Sequence, residues 1–490
     1  MNVKAILNVI GILLIMLSGI LLLPIGVSLY YYQPAHAHYL SEVNAFSMTL
    51  AIACFLGLCF WKLFPPGIEK LRDREGFAIV AFSWAIISLF GALPFYLTGA
   101  CPWFVDAFFE SVSGFTTTGA SIFKDIDSLP KGILFWRSLT QWLGGMGIIM
   151  LSLAIFPVLG IGSFHLFKAE VPGGSNVERI QPRLAETAKI LWKAYIVLTC
   201  LEIVLLRLGG VSFFDAVCHT FSTVSTGGFS THQASVNAFN SLYVESVIVL
   251  FMFLGGINFV LHYQALNGNF EVVYKNPELR FYAGFIFVVT LMTASVLWWT
   301  SFNPNLGTVF RSAVFTVVSL QTTTGFATDD FDRWPDFLRM LMVGIMIVGG
   351  CSGSTSGSLK AIRIVILYKI IVRELQKLAQ PRAIIPVKVG QKIVEPDHLT
   401  NIVGLTLLYF GMLILNSLFL SLLGLNLETA VSATVATLGN VGPGLGIVGA
   451  SGDYASIPFL GKWALILCML MGRLEIYGVV LLFLPMAWKK

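Results

Sequence analysis

Apolar stretches of near-constant length, separated by short charged segments, set the pattern of this chain. They occupy 5–41, 43–61, 77–99, 138–164, 194–206, 246–261, 281–302, 340–359, 401–427 and 463–488, the last interrupted by Arg473 and Glu475. About 20 apolar residues suffice for a helix to cross a bilayer, so ten candidate spans are predicted. Four shorter helical segments, 103–115, 213–224, 308–320 and 427–438, lie between spans and are too short to cross.

Each short segment runs into a small polar string: Thr116-Thr117-Thr118-Gly119-Ala120, Ser225-Thr226-Gly227-Gly228-Phe229, Thr322-Thr323-Thr324-Gly325-Phe326 and Asn440-Val441-Gly442-Pro443-Gly444. Taking Gly119, Gly227, Gly325 and Gly442 as the key glycines, the strings recur about every hundred residues. The span after each string carries an echo, at Gly144-Gly145, Gly255-Gly256, Gly349-Gly350 and Met471-Gly472. The predicted unit is therefore span, half-helix, loop, span, repeated four times after two extra N-terminal spans.

Irregular backbone is tolerated at membrane depth only where protein buries it or where it lines a cavity, so the four loops are expected to converge on a shared axis. Half-helices that end there direct their partly negative ends at the cavity, which favours a cation. Carbonyls turned inward by glycine can replace the hydration shell of that cation. The pattern thus points to a selectivity filter for a monovalent cation.

Composition narrows the alternatives. The 490 residues are 56% hydrophobic and only 12% charged, against roughly 25% charged in soluble proteins. A net charge of +5 spread along the chain does not suit nucleic-acid binding, and the partner it implies is the lipid bilayer. With Lys4 inside and the sides alternating, twenty Lys and Arg fall on the cytoplasmic side and eight opposite, so both termini are expected in the cytoplasm. Ala35-His36-Ala37 has the small residues of a cleavage site, but the apolar stretch around it is too long for a signal peptide. His36 and His38 lack a third ligand nearby, and the seven cysteines show no CxxC spacing.

These strings resemble those of the Trk/Ktr/HKT potassium transporter superfamily, and within it the bacterial TrkH/TrkG branch. The resemblance covers the whole chain, including the two added spans, Ser225–Thr231 and the divergent Asn440–Gly444. It implies an all-α polytopic fold around a pseudo-fourfold pore. The parts are residues 1–70 for the extra helices and 71–168, 169–272, 273–392 and 393–490 for the repeats. It further implies potassium uptake across the bacterial inner membrane, a homodimer, and a cytosolic ring of TrkA-type regulatory subunits. NAD(H) or ATP/ADP would be bound by that regulator, with no cofactor in this chain. The filter residues it implies are Thr117, Thr118, Gly119, Ser225, Thr226, Gly227, Thr323, Thr324, Gly325, Asn440, Val441 and Gly442. Glycine in all four loops favours potassium over sodium.

Residues 349–358 contain no large side chain in the middle of a predicted span. Each glycine there costs about 1 kcal/mol relative to alanine in a helix, so a kinked helix and an intramembrane loop are both open. The resemblance supports a movable gate made of Gly349, Gly350, Gly353, Ser354, Thr355, Ser356 and Gly357, with Lys360 beyond it. Arg473, a charge deep in a span, is expected either beneath the filter, where the resemblance implies a barrier to cations, or in a structural ion pair with a carboxylate elsewhere.

Acidic residues near the outer mouth (Asp106, Glu110, Asp215, Asp329, Asp330, Asp332, Asp336, Glu428, Asp453) are read either as a cation-concentrating field or as caps. Gly444–Gly449 matches GxGxxG by letters alone, with no preceding strand, and no enzyme is expected. A secondary transporter of an organic substrate would show two halves of opposite topology, where this chain shows four units of one topology. H+- or Na+-coupled symport stays open, with no buried carboxylate marking a coupling site.

Overall fold

The computed structural model of the chain describes residues 3–31, 38–65, 73–147, 181–300, 302, 305–390 and 392–485. The Ala35-His36-Ala37 segment, the repeat boundary at 168/169 and the far part of the 138–164 stretch lie outside these residues. The described chain is mostly helical, and the departures from an all-α reading are a two-residue antiparallel pairing of Lys388–Val389 with Lys392–Ile393 and an isolated parallel bridge between Val348 and Leu359.

Two N-terminal helical segments, Val3–Ile20 with Leu22–Tyr30 and then His38–Leu63, cross where glycines face each other. A Cβ on Gly11 or Gly57 would lie 2.8 Å from the carbonyl oxygen of the other. Small residues at such crossings let helix backbones approach where lipid supplies no hydrophobic drive.

Four long helices follow, Asp73–Leu97, Gln181–Leu208, Pro277–Trp299 and Pro396–Leu422. Each leads into a short helix: Phe104–Phe115, Phe213–Val224, Leu306–Gln321 and Leu427–Leu438. At 1.5 Å per residue these 12 to 16 residues fall short of the roughly 30 Å hydrocarbon core. Residues 106–115 are all buried, so protein and not lipid surrounds that half-helix. The caps are not the acidic residues considered above. Ser212, Asn305 and Asn426 take the first-turn N–H groups, while Asp106, Asp215 and Glu428 lie inside the first turn.

In the second, third and fourth units the helix after the loop breaks, as weighed for 349–358 but not expected in the other two. Leu242–Gly255 turns by 105° into Phe259–Leu266. Asp336–Ile347 gives way to loop and resumes as Ala361–Ala379. Phe459–Arg473 stops before Tyr477–Phe483, with Glu475 and Ile476 at φ 55° and 57°. Among the described residues five helices are long and apolar enough to cross a membrane, or six if the 105° pair is one span.

Ion pairs fasten one unit to the next. Lys462 on the last unit meets Asp106 on the first at 2.6 Å, Glu245 pairs with Arg311, and Arg339 pairs with Glu428. Each joins the second helix of one unit to the short helix of its neighbour in a ring.

Candidate functional site

The four polar strings have the same backbone. Thr118, Gly227, Thr324 and Val441 donate their N–H groups to Ser113, Ser222, Ser319 and Ala436 at 2.9, 2.8, 2.9 and 2.7 Å. The residue before each sits in the left-handed region: Thr117 at φ 54°, Thr226 at 54°, Thr323 at 59° and Asn440 at 53°. This is the left-handed ending that usually takes glycine. Three β-branched threonines there carry a strain of about 1–3 kcal/mol each, which persists only where the surroundings impose it. With the amides turned back on the helix, the loop carbonyls are left facing away from it.

Glycines at φ 80°, 80°, 80° and 101° follow, namely Gly119, Gly228, Gly325 and Gly442. The sequence reading is corrected here. The second-loop counterpart of Gly119 is Gly228, not Gly227, and Gly227 stands in the place of Thr118, Thr324 and Val441. Ser225 correspondingly matches Thr116, one step ahead of Thr117.

These glycines close a ring. A Cβ added at Gly119 would lie 2.2 Å from Gly227 O, at Gly228 1.9 Å from Thr324 O, at Gly325 2.1 Å from Val441 O, and at Gly442 2.6 Å from Thr118 O. Each key glycine therefore seats the carbonyl of the next unit, and the fourth returns to the first. An outer cavity of about 80 Å³ is lined by all four glycines, with Arg137, His232 and Tyr454.

Side chains hold the ring. Thr116 and Thr118 share a hydroxyl bond of 2.8 Å, and Thr322 and Thr324 one of 2.7 Å. Asn440 Nδ2 donates to Thr118 Oγ1 at 2.9 Å and Tyr454 Oη to Gly442 O at 2.7 Å. Arg137, buried, donates to Glu110 at 2.8 Å and to Ser230 O at 3.1 Å, tying the first loop to the second. The sequence reading counted Arg137 only among the eight outer-side charges and did not single out Gln141, although two polar residues four apart in an apolar helix mark one face turned to a partner.

Beneath the ring, residues 349–358 form a loop and not a kinked helix. Thr355 Oγ1 lies 3.1 Å from both Val224 O and Gly255 O, which share its one proton, and accepts from Thr226 Oγ1 at 3.2 Å. Gly357 N donates to Thr323 Oγ1 at 2.7 Å, and Ser356 Oγ accepts from Gly350 N at 3.1 Å. The segment is thus hydrogen-bonded to the second and third loops.

Arg473 reaches the same place. Its guanidinium donates to Thr117 Oγ1 at 3.3 Å, Thr355 O at 2.9 Å, Gly145 O at 2.8 Å and Gly144 O. Gly472 backs onto Leu438 O as Gly144 backs onto Phe115 O, so Gly472 matches Gly144, and Arg473 replaces a small residue, Gly145. Lys360 bonds Ser356 O, and Arg363 pairs with Glu475. Arg473, Lys360, Glu475, Gly353 and Ser354 line an inner cavity of about 290 Å³.

The acidic residues at the mouth are mostly engaged. Asp106, Glu110, Asp330, Asp332, Asp336 and Glu428 face Lys or Arg partners, which cancels much of the expected attractive field. Buried carboxyls were overlooked, Glu42, Glu202, Glu245 and Glu278 among them, and Glu202, within the 194–206 stretch, is wholly buried beside Thr223. The Thr223 hydroxyl donates instead to His219 O, and neither Glu202 oxygen has a hydrogen-bond partner among the described residues.

Comparison with known proteins matches residues 44–490 to the family model TrkH, cation transport protein. The Trk system potassium uptake protein TrkH of Salmonella typhimurium is 40% identical, with all of both chains covered. Trk system potassium uptake protein TrkG of Escherichia coli is 34% identical over all of this chain and 99% of its own length. The crystal structure of the potassium transporter TrkH from Vibrio parahaemolyticus superposes with a TM-score of 0.89 at 36% identity, covering both chains fully.

Proposed function

The chain belongs to the TrkH family of cation transport proteins, multi-pass and not enzymatic by kinship, and on that premise we propose that it takes up potassium through the four-loop ring. The observation that carries this reading is the closed order of glycines, each seating the next unit's carbonyl. Carbonyl rings of this kind replace an ion's hydration shell, and a bare cation is then held by dipoles and not by formal charge.

In this reading two N-terminal spans precede four span, half-helix, loop, span units, ten spans in all, around a pseudo-fourfold pore. The filter is Thr117–Gly119, Thr226–Gly228, Thr323–Gly325 and Asn440–Gly442, the second triplet moved one residue from Ser225–Gly227. Residues 349–358 and Arg473 together close the inner side. A guanidinium bonded to Thr117 and Thr355 puts a positive charge on the cation's route, and the loop must leave the ring before ions pass. The Arg363–Glu475 pair links the helix after the gate to the break after Arg473, a route by which a cytosolic regulator moves both. A homodimer in the bacterial inner membrane, cytoplasmic termini, and a TrkA-type ring binding NAD(H) or ATP/ADP complete the proposal.

A specific observation favours one second reading, H+-coupled symport. Glu202 is a buried carboxyl without a described cation, and burying a carboxylate unpaired costs more than protonating it. One experiment separates the two: potassium and sodium flux into proteoliposomes at clamped potentials, with and without a proton gradient. Uptake that follows voltage alone supports a gated pore. Uptake that requires the proton gradient, and loses that requirement in Glu202→Gln, supports symport. No preference for potassium over sodium in either condition sinks the filter reading.

A further inference from the structure

The second loop is chemically unlike the first and third. Those two are braced by hydroxyl bonds across the strained threonine, Thr116 to Thr118 and Thr322 to Thr324. The second has Ser225 and Gly227 in those places, and Gly227 has no side chain to offer such a bond. Gln141 from the neighbouring unit stands there instead, wholly buried. Its Nε2 donates to Gly227 O at 2.6 Å, and its Oε1 accepts from Phe229 N at 2.9 Å.

The fit is mutual. A Cβ at Gly227 would meet Gln141 Cδ at 2.4 Å, Oε1 at 2.7 Å and Nε2 at 2.8 Å. Gly227 is not in the left-handed region, so its glycine makes room for the glutamine and is not demanded by the backbone. Counting three residues back from Gly144, Gly255, Gly349 and Gly472, the place of Gln141 is taken in the other units by Met252, Met346 and Met469. Methionine is unbranched like glutamine but carries no N–H donor.

We propose that Gln141 is a specificity-determining positioning residue of the ring. It substitutes for the missing hydroxyl bond, sets the course of 226–229, and takes one of the two acceptor sites of Gly227 O. Among the described residues the Thr118, Thr324 and Val441 oxygens receive no such donor. The four carbonyls are therefore unequal, three open to an ion and one shared with an amide. This rests on the ring being the potassium filter.

The test converts the junction to the type used elsewhere in the chain. Potassium, rubidium and sodium fluxes are measured in proteoliposomes of the full chain for Gln141→Met, for Ser225→Thr/Gly227→Thr, and for the three changes combined. Gln141→Met is expected to lower the potassium-to-sodium flux ratio about tenfold, chiefly by raising KM for potassium. The double variant, whose new side chain collides with Gln141, loses flux. The triple variant recovers the parental ratio to within about threefold. Should the methionine variant not reach the membrane, Gln141→Glu keeps the size and the acceptor for Phe229 N and is expected to show the same fall. Stabilisation against heat by potassium over sodium gives a second readout, which a merely structural residue would not move.

Parental flux ratios and parental potassium-specific stabilisation in Gln141→Met, or in Gln141→Glu in its stead, overturn the proposal. Gly228→Ser is run alongside. If it shifts the ratio and the Gln141 variant does not, only the brace fails. If Gly228→Ser also leaves the ratio intact, the filter reading itself is lost.

Discussion

A single methyl group decides what the glycines of the ring can be. At Gly119 and Gly228 the nearest atom to an added Cβ is a backbone carbonyl of the next unit, at 2.2 and 1.9 Å, and backbone in a closed ring has no slack to give. Serine at either position is expected to displace that carbonyl and weaken discrimination against sodium, by about tenfold in the potassium-to-sodium flux ratio. Ratios unchanged in both variants would remove these glycines from the filter. The tandem glycines of the second loop explain why letters alone chose Gly227. Two adjacent glycines look equivalent in a string, and only the left-handed Thr226 ahead of them sets the register.

At the scale of elements, the gate segment owes its shape to what it lacks. Residues 349–358 are glycine, serine, threonine and cysteine, with no long side chain to pack along a helix. Their backbone and hydroxyls bond the loops above, as Thr355 does with Val224 O, Gly255 O and Thr226. Arg473 is held by the same segment through Thr355 O. Removing the charge by Arg473→Ala, or shortening 349–358, is expected to raise basal potassium flux about tenfold, since either opens a closed route. Equal or lower flux in both variants at matched protein amounts would reduce the segment and the arginine to packing.

For the molecule as a whole, closure depends on the junctions between units. Lys462 and Asp106 are nine-tenths covered and join the last unit to the first across 356 residues of sequence. Losing one partner leaves the other buried and unpaired, so Lys462→Met is expected to destabilise the protein by about 3–5 kcal/mol. Lys462→Met combined with Asp106→Leu should recover most of that loss, read as thermal unfolding in detergent in a double-mutant cycle. Equal destabilisation by the single and double variants would mean that the pair does not close the ring.

The sequence by itself determined the apolar pattern, the four recurring polar strings and, to within two residues, where the short helix before each string begins and ends. These features depend on local hydrophobicity and on glycine or threonine at fixed offsets, and neither needs a neighbour to be recognised. Segments 213–224 and 427–438 were legible to the residue for that reason. Tertiary structure alone decided the ring's register, the loop form of 349–358 and the partners of its charges. Gly228 lies above Thr324 O, Gln141 fills the space over Gly227, and Arg363 reaches Glu475, 112 residues away. Such relations are set by where separate helices meet, and a linear pattern carries no distance between units.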